Sequence, residues 1–496
     1  MNNPCHLCKT SCMKKTFPAG MLISTFLFLM TSCSNNHPPI CLHPDNPHYF
    51  LFRGIPVVLI GSTEHYGGVL NLDFDYIPYF DELNARGLNV TRTFSGIYLE
   101  PQGAFGIAEN TLAPARERLI CPWARSDQPG YANGGNKFDL TRWDDAYFSR
   151  LKDFVAEAGK RNIVVELDFF SNFYDTLQWR LSPLYADNNI NGIGNIGDHK
   201  EILSLRHTDI LAVQEKMVRK IVETLKEFDN LYYEVCNEPY FGDLEALETW
   251  EQHMTSVIAD AEKQFSNKHL ISQNIANNTL KIENPNPLVS ICNFHYARPP
   301  VTVEMNYGLN RVIGDNETGF DGIEDVRYRT EAWNFLVAGG GLFNNLDYSF
   351  TVDHENGSFS VPADQPGGGG HTLRSQLNIL KQVFDEIDLI SMRPANEIVK
   401  NTSDALPKLR VLGGKGQYLL YLDVTKPGDP GHPDSLAGRQ TARMTLELPV
   451  GRYEGSWIDT KSGDRTVQDF VVDPPGTVVL DAPPFAEDLA FLVRKK

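Results

Sequence analysis

Positive charge is scarce in this chain of 496 residues, in which 45 lysines and arginines stand against 63 aspartates and glutamates. The resulting formal net charge of -18 excludes nucleic acids and strongly anionic polymers as partners, because both would be repelled. Charged residues make up 22% of the chain and aromatic residues 11%, which is typical of a globular protein. The composition therefore favours a folded protein that acts on a neutral molecule.

Cysteine is also rare, with eight residues in the chain. Those that precede residue 13 have no matching distal pair of cysteines or histidines, so they do not predict a zinc site. Cys236 and Cys292 lie inside apolar runs and are expected to be small buried side chains. A disulfide between Cys41 and Cys121 is left open by the sequence. We expect no metal site and no cofactor.

The apolar run at residues 21–30 is too short to cross a membrane as a folded element. It comes after Lys14 and Lys15 and is closely followed by polar residues, which is typical of the apolar core of a secretory signal peptide. Met13 is an alternative start of the protein, because the segment from Met13 to Lys15 is a typical beginning of such a signal.

The signal segment ends in a motif that concerns membrane attachment. Thr31-Ser32-Cys33 is similar to a bacterial lipoprotein box, in which the cysteine becomes the lipidated first residue. We therefore predict a signal peptide with a lipoprotein box over residues 1–33 and lipidation of Cys33; the alternative is a plain signal peptide that is cut nearby. The protein is expected in the cell envelope, as an outer-membrane lipoprotein facing the periplasm or the cell surface, or secreted. Its contact with the membrane would be through the lipid anchor alone.

Three further regions follow the signal segment. Residues 34–48 are rich in Asn, His and Pro and predict a tether. Between residues 49 and 392, helical signals alternate with eight apolar strand signals, at residues 55–61, 88–94, 163–169, 231–236, 269–273, 288–295, 312–314 and 341–346. Eight strand–helix pairs in series predict an α/β fold, a (β/α)8 TIM barrel. Residues 393–496 show short alternating runs without a helical pattern, which predicts an antiparallel β-sandwich as accessory domain.

Carboxylates follow two of the predicted barrel strands. Asn237-Glu238-Pro239 comes directly after the fourth strand, and Asp315 and Glu317 come at the end of the seventh. In a barrel of parallel strands, catalytic groups lie at these carboxyl ends. Side chains two residues apart on a strand share a face, so either Asp315 or Glu317 could reach the same pocket as Glu238. Two carboxylates on the ends of two strands are the minimum equipment for glycoside hydrolysis.

Over residues 45–390 the chain resembles the clan A glycoside hydrolases, in particular family 5-like members with a cellulase-like barrel. Asn237-Glu238 matches the Asn-Glu motif that follows the fourth strand in that family, and the resemblance implies that Glu238 is the acid/base. The resemblance also implies that the carboxylate after the seventh strand is the nucleophile. The family often has a Glu directly after a Val-Ile-Gly-like strand, where this chain has Asp315, but the surrounding segment favours Glu317.

The same resemblance assigns roles to four further residues. Arg92, at the end of the second strand, would lie beside the nucleophile, where its charge favours the carboxylate form. Asn237 would contact the 2-hydroxyl of the sugar and bind it more tightly in the transition state. His295 and Tyr296, after the sixth strand, match a His/Tyr segment in which the Tyr usually donates a hydrogen bond to the nucleophile.

Three more residues are candidates for binding the substrate. His65 follows the first strand and either contacts the substrate or packs its loop. Trp179 belongs to a group of aromatic residues in the loops after the third and fourth strands, and such rings stack on the C–H faces of sugars. The eighth strand of the family often ends in a Trp that forms a sugar platform, and Tyr348 stands near that place here.

These observations predict a retaining glycoside hydrolase that cleaves the O-glycosidic bonds of an oligo- or polysaccharide by a two-carboxylate double displacement. A neighbouring carboxylate and partial burial are expected to raise the pKa of Glu238, so that it holds its proton near neutral pH. We expect a monomer with a carbohydrate substrate. The alternative is a non-catalytic carbohydrate-binding surface lipoprotein that kept the barrel as a scaffold.

Overall fold

The computed structural model describes residues 37–403, 408–425 and 441–496. The predicted signal segment, with Cys33, lies outside these residues, as does the beginning of the predicted tether. No helix within the described ranges combines the length and the apolar character that are needed to cross a membrane.

Strands and helices are numbered in chain order. The strands are β1 (Cys41–His43), β2 (Asn46–Phe52), β3 (Ile55–Val57), β4 (Leu59–Thr63), β5 (Val90–Phe94), β6 (Trp123–Pro129), β7 (Asn136–Trp143), β8 (Val164–Ser171), β9 (Leu231–Asn237), β10 (Ile271–Asn277), β11 (Ile291–His295), β12 (Val312–Glu317), β13 (Leu342–Leu346), β14 (Arg393–Pro394), β15 (Val399–Thr402), β16 (Lys408–Gly414), β17 (Gln417–Asp423), β18 (Arg443–Glu447), β19 (Gly451–Ile458), β20 (Arg465–Val472), β21 (Thr477–Asp481) and β22 (Asp488–Lys495). The helices are α1 (Tyr76–Ala85), α2 (Asp145–Lys160), α3 (Thr176–Leu181), α4 (Thr208–Leu225), α5 (Leu244–Ala261), α6 (Val301–Asn306), α7 (Asp325–Val337) and α8 (His371–Asp385).

Eight parallel strands form the centre of the fold and confirm the predicted (β/α)8 barrel. They are hydrogen-bonded in the order β4-β13-β12-β11-β10-β9-β8-β5. The two ends of this series lie side by side, because the backbone N–H of Asn89 donates to the Ile60 carbonyl at 3.1 Å and the Asn89 side chain accepts from the Ile60 N–H at 2.8 Å. The fifth and seventh barrel strands are longer than the sequence indicates, since β10 continues to Asn277 and β12 to Glu317.

Several helices begin at a side-chain cap, and the long helices bury one face against the barrel. Aspartates occupy the position before several helices and accept hydrogen bonds from backbone N–H groups of the first turn, which have no partner within the helix; they are Asp75, Asp144, Asp175 and Asp243. The helix predicted from apolar spacing after residue 209 is α4, and its apolar positions are buried: Ile210, Val213, Met217, Ile221 and Leu225.

A small antiparallel sheet of β1, β2 and β3 closes the amino-terminal end of the barrel. Phe50 and Phe52 of β2 pack in an apolar cluster with residues from the beginnings of the barrel strands, which are Leu59, Val90, Val164, Tyr232, Ile291, Val312 and Leu342. One end of the barrel is therefore apolar and covered, and the polar groups of the barrel lie toward the other end.

The predicted tether is shorter than the sequence indicates. The chain already forms a strand at Cys41, and the buried side chain of Asn46 donates to the carbonyls of Ile390 at 3.0 Å and Met392 at 3.1 Å. Asn and His residues that bond to buried carbonyls cannot be told apart in a sequence from those of a solvated segment.

The C-terminal region is antiparallel, as predicted. One sheet has the order β14-β16-β17-β22-β19-β20 and another the order β15-β18-β21. Leu420 and Phe491 of the larger sheet share an apolar cluster with Met444 of the smaller one, so the two sheets pack as the layers of a sandwich.

Helix α7 of the barrel packs on this sandwich. The guanidinium of Arg329 donates to Asp488 Oδ1 at 2.7 Å, and both side chains are buried. The ring of Trp333 stacks on Tyr421, with centroids 5.4 Å apart. A buried ion pair fixes the relative position of the two elements, because moving either one would leave an uncompensated charge.

The described cysteines carry separate thiols. The Sγ atoms of Cys41 and Cys121 each lie near a different backbone carbonyl, at 3.9 Å and 3.7 Å, and no disulfide joins these two residues. Cys236 and Cys292 are buried within β9 and β11, as expected for small apolar side chains.

Glu251 on α5 makes the stability of the fold depend on pH. Burial raises the pKa of this carboxyl to about 8, and its Oε1 has no hydrogen-bond partner among the described residues. The unfolded chain loses the proton near pH 4.5 and the folded chain near pH 8, so the free energy of unfolding falls as the pH rises between these values. Each unit of pKa difference corresponds to about 1.4 kcal/mol. We therefore expect Glu251→Gln, which cannot ionise, to gain stability relative to the wild type as the pH rises.

Thermal unfolding of both proteins at pH 5 and pH 8.5 tests this expectation. The control is Glu109→Gln in an exposed loop, for which the difference in Tm from the wild type should not change with pH. A Glu251→Gln protein whose Tm difference is the same at both pH values would contradict the proposed titration.

Candidate active site

Glu238 and Glu317 face each other at the carboxyl end of the barrel. Glu238 directly follows β9, and Glu317 is the last residue of β12. Their exposed fractions are 7% and 6%. With His295, the last residue of β11, they form a cluster in which one side-chain atom from each residue lies within 4.8 Å of the other two.

His295 connects the two carboxylates. Its Nδ1 lies 2.8 Å from Glu238 Oε1 and 3.5 Å from Glu317 Oε1. Burial lowers the pKa of His295, but the charge of Glu317 and the contact with Glu238 outweigh it and raise the pKa above 6.5. Burial likewise raises the pKa of Glu238, and the hydrogen bond and charge of His295 hold it below its usual value instead. The raised pKa predicted for Glu238 is therefore wrong for the free protein, because the contact with His295 favours the carboxylate form.

Tyrosine and asparagine side chains hold Glu238 in place. The Tyr174 hydroxyl donates to Glu238 Oε2 at 2.7 Å, and Asn237 Nδ2 donates to the Tyr174 hydroxyl at 3.2 Å. The backbone N–H of Glu238 donates to Asn274 Oδ1 at 2.9 Å, and the Tyr240 hydroxyl donates to the same oxygen. The carboxylate therefore has one orientation relative to the barrel.

Arg92 of β5 holds Glu317 and Asn237 together. Its Nη1 donates to Glu317 Oε2 at 2.9 Å, and its Nη2 donates to Asn237 Oδ1 at 2.9 Å. The Tyr296 hydroxyl donates to the other oxygen of Glu317, also at 2.9 Å. The guanidinium lies over the ring of Tyr66, with Cζ 4.6 Å from the centroid. Both oxygens of Glu317 are thus hydrogen-bonded, one of them to a buried cation.

A second set of carboxylates lies beneath the cluster, inside the barrel. Arg92 contacts Asp168 at 2.7 Å, Glu234 at 2.9 Å and Glu166 at 2.9 Å, and all three are buried. Burial raises the pKa of Glu166 to about 7 and that of Asp168 well above its usual value. Asn316 Nδ2 donates to Glu166 Oε1 at 2.6 Å. These groups compensate the charge of Arg92 in the interior of the barrel.

Asp315 faces away from the cluster, although it lies only two residues before Glu317. Burial and the neighbouring carboxyl of Glu331 on α7 raise the pKa of Asp315 well above its usual value, and Asp315 Oδ2 accepts from the backbone N–H of Ala297 at 3.4 Å. Thr318 donates to Glu331 Oε2 at 2.8 Å. The pairing of β12 with β11 is irregular just before Glu317, which breaks the alternation of side chains. The structure therefore brings Glu317, and not Asp315, to Glu238.

Three residues that follow barrel strands have left-handed backbone conformations. The φ angles are +60° for Tyr66, +45° for Glu238 and +53° for Tyr296. Each such residue costs on the order of 1–3 kcal/mol, and such strain concentrates at functional sites. All three side chains lie around Glu317 and His295, so the backbone strain is located in residues that form the candidate site.

His65 and Tyr348 lie on the Glu317 side of the cluster. Their rings meet edge to face, with centroids 5.8 Å apart. Burial lowers the pKa of His65 to about 4, although the charge of Glu317 opposes this shift, so the imidazole is neutral near pH 7. Both side chains thus lie beside the cluster, and their contact with a substrate stays a prediction.

Trp179 is placed differently from the sequence prediction. It is 3% exposed and packs edge to face against Phe173 and Tyr185, with centroids 5.2 Å and 5.6 Å away. Its ring is covered by the loop that it stabilises. Aromatic residues of a loop look alike in a sequence whether they face the loop interior or the barrel mouth.

Other residues near the cluster were not singled out from the sequence. Glu100, Phe105 and Phe320 lie in loops and not at strand ends, and Tyr174 was one of several aromatic residues after the third strand. The expectation that functional groups follow barrel strands therefore identifies the carboxylates but not the loop residues that form the walls of the site. The density of Gly and aromatic residues between β5 and β6 marks that loop without identifying Glu100 or Phe105.

Glu238, His295 and Glu317 lie close enough together to contact one metal ion, and the sequence did not predict this arrangement as a metal site. Their hydrogen bonds do not favour such an ion. The oxygens of Glu317 accept from Arg92 and Tyr296, and those of Glu238 contact Tyr174 and His295. The positive charge that a carboxylate pair needs is already supplied by protein groups.

The fold of this chain is found among glycoside hydrolases of known structure. A family 5 glycoside hydrolase from Bacteroides vulgatus ATCC 8482 is 11% identical, with a TM-score of 0.60 over 92% of this chain and 93% of that one. A second glycoside hydrolase is 12% identical, with a TM-score of 0.60 over 92% and 97% of the two chains. A provisionally assigned one, also from Bacteroides vulgatus ATCC 8482, is 14% identical, with a TM-score of 0.62 over 93% and 83%. No protein-family model and no curated protein matches the sequence.

At these identities the likeness establishes the fold: a (β/α)8 barrel followed by a β domain. The sequence resemblance to family 5 and the solved structures thus lead to the same architecture. What the site does has to be argued from its own residues.

The ionisation of Glu238 tests the geometry around His295. His295→Leu removes the hydrogen bond and the positive charge but keeps the carboxyl buried, so we expect the pKa of Glu238 to rise above its wild-type value. Carbon-detected NMR titration of labelled glutamate side chains measures it directly. Tyr296→Phe is the control, because it removes a bond to Glu317 and leaves the partners of Glu238 in place. A Glu238 midpoint that stays constant or falls in His295→Leu would contradict this account.

Proposed function

We propose that this protein is a retaining glycoside hydrolase with Glu238 as acid/base and Glu317 as nucleophile. The observation that carries the proposal is the distance between the two carboxylates, whose nearest oxygens lie within 4.8 Å of each other. Retaining enzymes hold their carboxyl groups roughly 5–5.5 Å apart, whereas inverting enzymes leave about 6.5–9.5 Å for a water molecule. The spacing supports a double displacement over a single one.

In the first step Glu317 attacks the anomeric carbon of the sugar, and the bond to the leaving oxygen breaks. Arg92 and Tyr296 orient the attacking carboxylate through their hydrogen bonds. Glu238 gives a proton to the leaving oxygen, so that the leaving group departs as an alcohol and an ester to Glu317 remains. In the second step Glu238 takes a proton from water, which attacks the same carbon and releases Glu317.

His295 supplies the proton that Glu238 needs in the first step. In the free enzyme the pair holds one proton, on Nδ1, 2.8 Å from Glu238 Oε1. Transfer across this hydrogen bond gives a protonated Glu238 and a neutral imidazole, so the general acid is loaded without taking a proton from solvent. Asn237, fixed by Arg92 and Tyr174, is oriented to meet a sugar hydroxyl beside Glu238.

Exposed rings beside the cluster support a carbohydrate as the substrate. Phe105, Phe241 and Phe320 are 45%, 43% and 39% exposed and lie in the loops after β5, β9 and β12. Exposed rings at the mouth of a site provide stacking surfaces for the C–H faces of sugars. The envelope location, with a lipid anchor at Cys33, is proposed from the sequence alone.

Substitution of either carboxylate tests the proposal. Glu238→Gln and Glu317→Gln should each lower kcat/KM on a cleaved aryl glycoside by about 10²–10⁴-fold or more. For Glu238→Gln the loss should be much smaller on a dinitrophenyl glycoside, because that leaving group departs without a proton. Glu109→Gln, an exposed loop residue, is the matched control and should leave activity unchanged.

Unchanged hydrolysis in either active-site variant would overturn the assignment. Dialysis against EDTA should leave activity intact, and a loss that added metal restores would instead favour a metal bound by the same three residues. A wild-type protein that binds sugars and cleaves no glycoside would favour the carbohydrate-binding alternative.

The pH dependence of kcat/KM tests the role of His295. The pair of Glu238 and His295 loses its proton as the pH rises through the raised pKa of His295, so the alkaline limb should lie above pH 6.5. On a dinitrophenyl glycoside, which needs no acid, this limb should disappear. An alkaline limb below pH 6.5, or the same limb on both substrates, would show that His295 does not hold the catalytic proton.

A further inference from the structure

Four aromatic rings form a continuous arch over one side of the site. Tyr174, which bonds Glu238, meets Phe105 with centroids 5.4 Å apart. Phe105 meets Phe320 at 6.2 Å, and Phe320 meets Tyr348 at 6.1 Å. These rings come from the loops after β8, β5, β12 and β13 in turn. The arch therefore joins loops that start from different parts of the barrel rim.

The arch leaves no room for a sugar chain to pass through it. Carbon atoms in contact are about 3.5–4.0 Å apart, so a sugar between two rings requires roughly 7–8 Å between them. All three ring–ring separations are shorter than this. Below the rings, the backbone N–H of Ala108 donates to Gln365 Oε1 at 3.1 Å, and that of Gly322 donates to the Pro366 carbonyl at 2.9 Å. These bonds tie the same loops together a second time.

Buried polar atoms without a partner lie on the covered side. His65 Nδ1, Tyr348 Oη and Gln365 Nε2 are buried and have no hydrogen-bond partner among the described residues. Such atoms cost free energy unless a ligand or water bonds to them. Together they offer donors and acceptors of the kind that sugar hydroxyls match.

Glu100 adds a carboxyl to the same side. Its Oε1 lies 3.9 Å from His65 Nε2 and accepts a hydrogen bond from the Tyr98 hydroxyl at 3.0 Å. Burial raises the pKa of Glu100 to about 7, and the charge of Glu317 contributes to this shift. This group plays no part in the mechanism described above.

The opposite side of the site is exposed. The end of β10 and the loop after it are exposed from residue 277 to residue 281. Phe241 packs on the outer side of Tyr174, with centroids 5.5 Å apart, and presents its ring to solvent there. This is the side of Glu238, which protonates the leaving oxygen. The leaving group therefore extends toward solvent, and the sugar that is transferred to Glu317 lies under the arch.

We propose that this enzyme is exo-acting: it holds a single sugar, the non-reducing end of its substrate, in a closed pocket under the Phe105–Phe320 arch. The inference rests on the proposed glycoside hydrolase activity and adds where along a chain the enzyme cuts. Gln365, His65, Tyr348 and Glu100 bind the hydroxyls of that terminal sugar. A chain that continues beyond it is stopped by the arch.

Product analysis tests this inference. A panel of p-nitrophenyl monoglycosides first identifies the accepted sugar, and the p-nitrophenyl trisaccharide of that sugar is then followed by mass spectrometry. The wild type should release one free sugar first and leave the p-nitrophenyl disaccharide. In the double variant Phe105→Ala/Phe320→Ala, the rate of release of di- or trisaccharide should rise about tenfold relative to that of the single sugar.

Leu280→Ala is the matched control, since it removes an exposed apolar side chain from the loop after β10, on the leaving-group side. It should leave the first product unchanged. Release of a disaccharide or trisaccharide first by the wild type would overturn the inference, as would an unchanged product pattern in the double variant. If those results come with activity that Glu317→Gln abolishes, the proposed function stands and only the closed pocket is wrong.

Discussion

The ion pair between Arg92 and Glu317 is the interaction on which the rest of the site depends. A guanidinium that is fully removed from water has to be compensated, and here Asp168, Glu234 and Glu166 do so from below. The strands that carry these residues are thereby held in one register around a single cation. The upper carboxylate is then fixed at the surface of a rigid polar core.

This arrangement also explains why the barrel is divided along its axis. The amino-terminal end is filled by aliphatic and aromatic side chains under a small covering sheet, and the other end by charged and amide groups. Burial raises the pKa of Glu166 to about 7 and that of Asp168 well above its usual value, so these second-layer acids ionise less readily than free carboxyl groups. The same buried acids surround Arg92 and, through it, fix the position of Glu317.

Much of this could be predicted from the sequence, because a parallel barrel converts strand order into spatial position. Counting strands placed Glu238 and Glu317 at the same end of the barrel. The resemblance to family 5 was needed to single out Arg92 and His295 beside them. The pKa of Glu238 was predicted in the wrong direction, because the contact with Nδ1 of His295 depends on a side-chain orientation that no pattern encodes. Asp315 could not be separated from Glu317, since the irregularity in β12 has no sequence signature. The walls of the site could not be predicted for another reason. Phe105 and Glu100 belong to a loop whose path is set by contacts with residues that are far away in the sequence.

Helix α7 connects the C-terminal sandwich to the candidate active site. On one part of the helix Arg329 and Trp333 attach to the sandwich, and between them in the sequence Glu331 bonds Thr318, the residue after Glu317. Helix α7 therefore contacts both the sandwich and the end of β12, so its position depends on both. The barrel and the sandwich therefore cannot be exchanged independently. A recombination event that replaced the sandwich by another domain would have to provide new partners for Arg329 and Trp333 of α7.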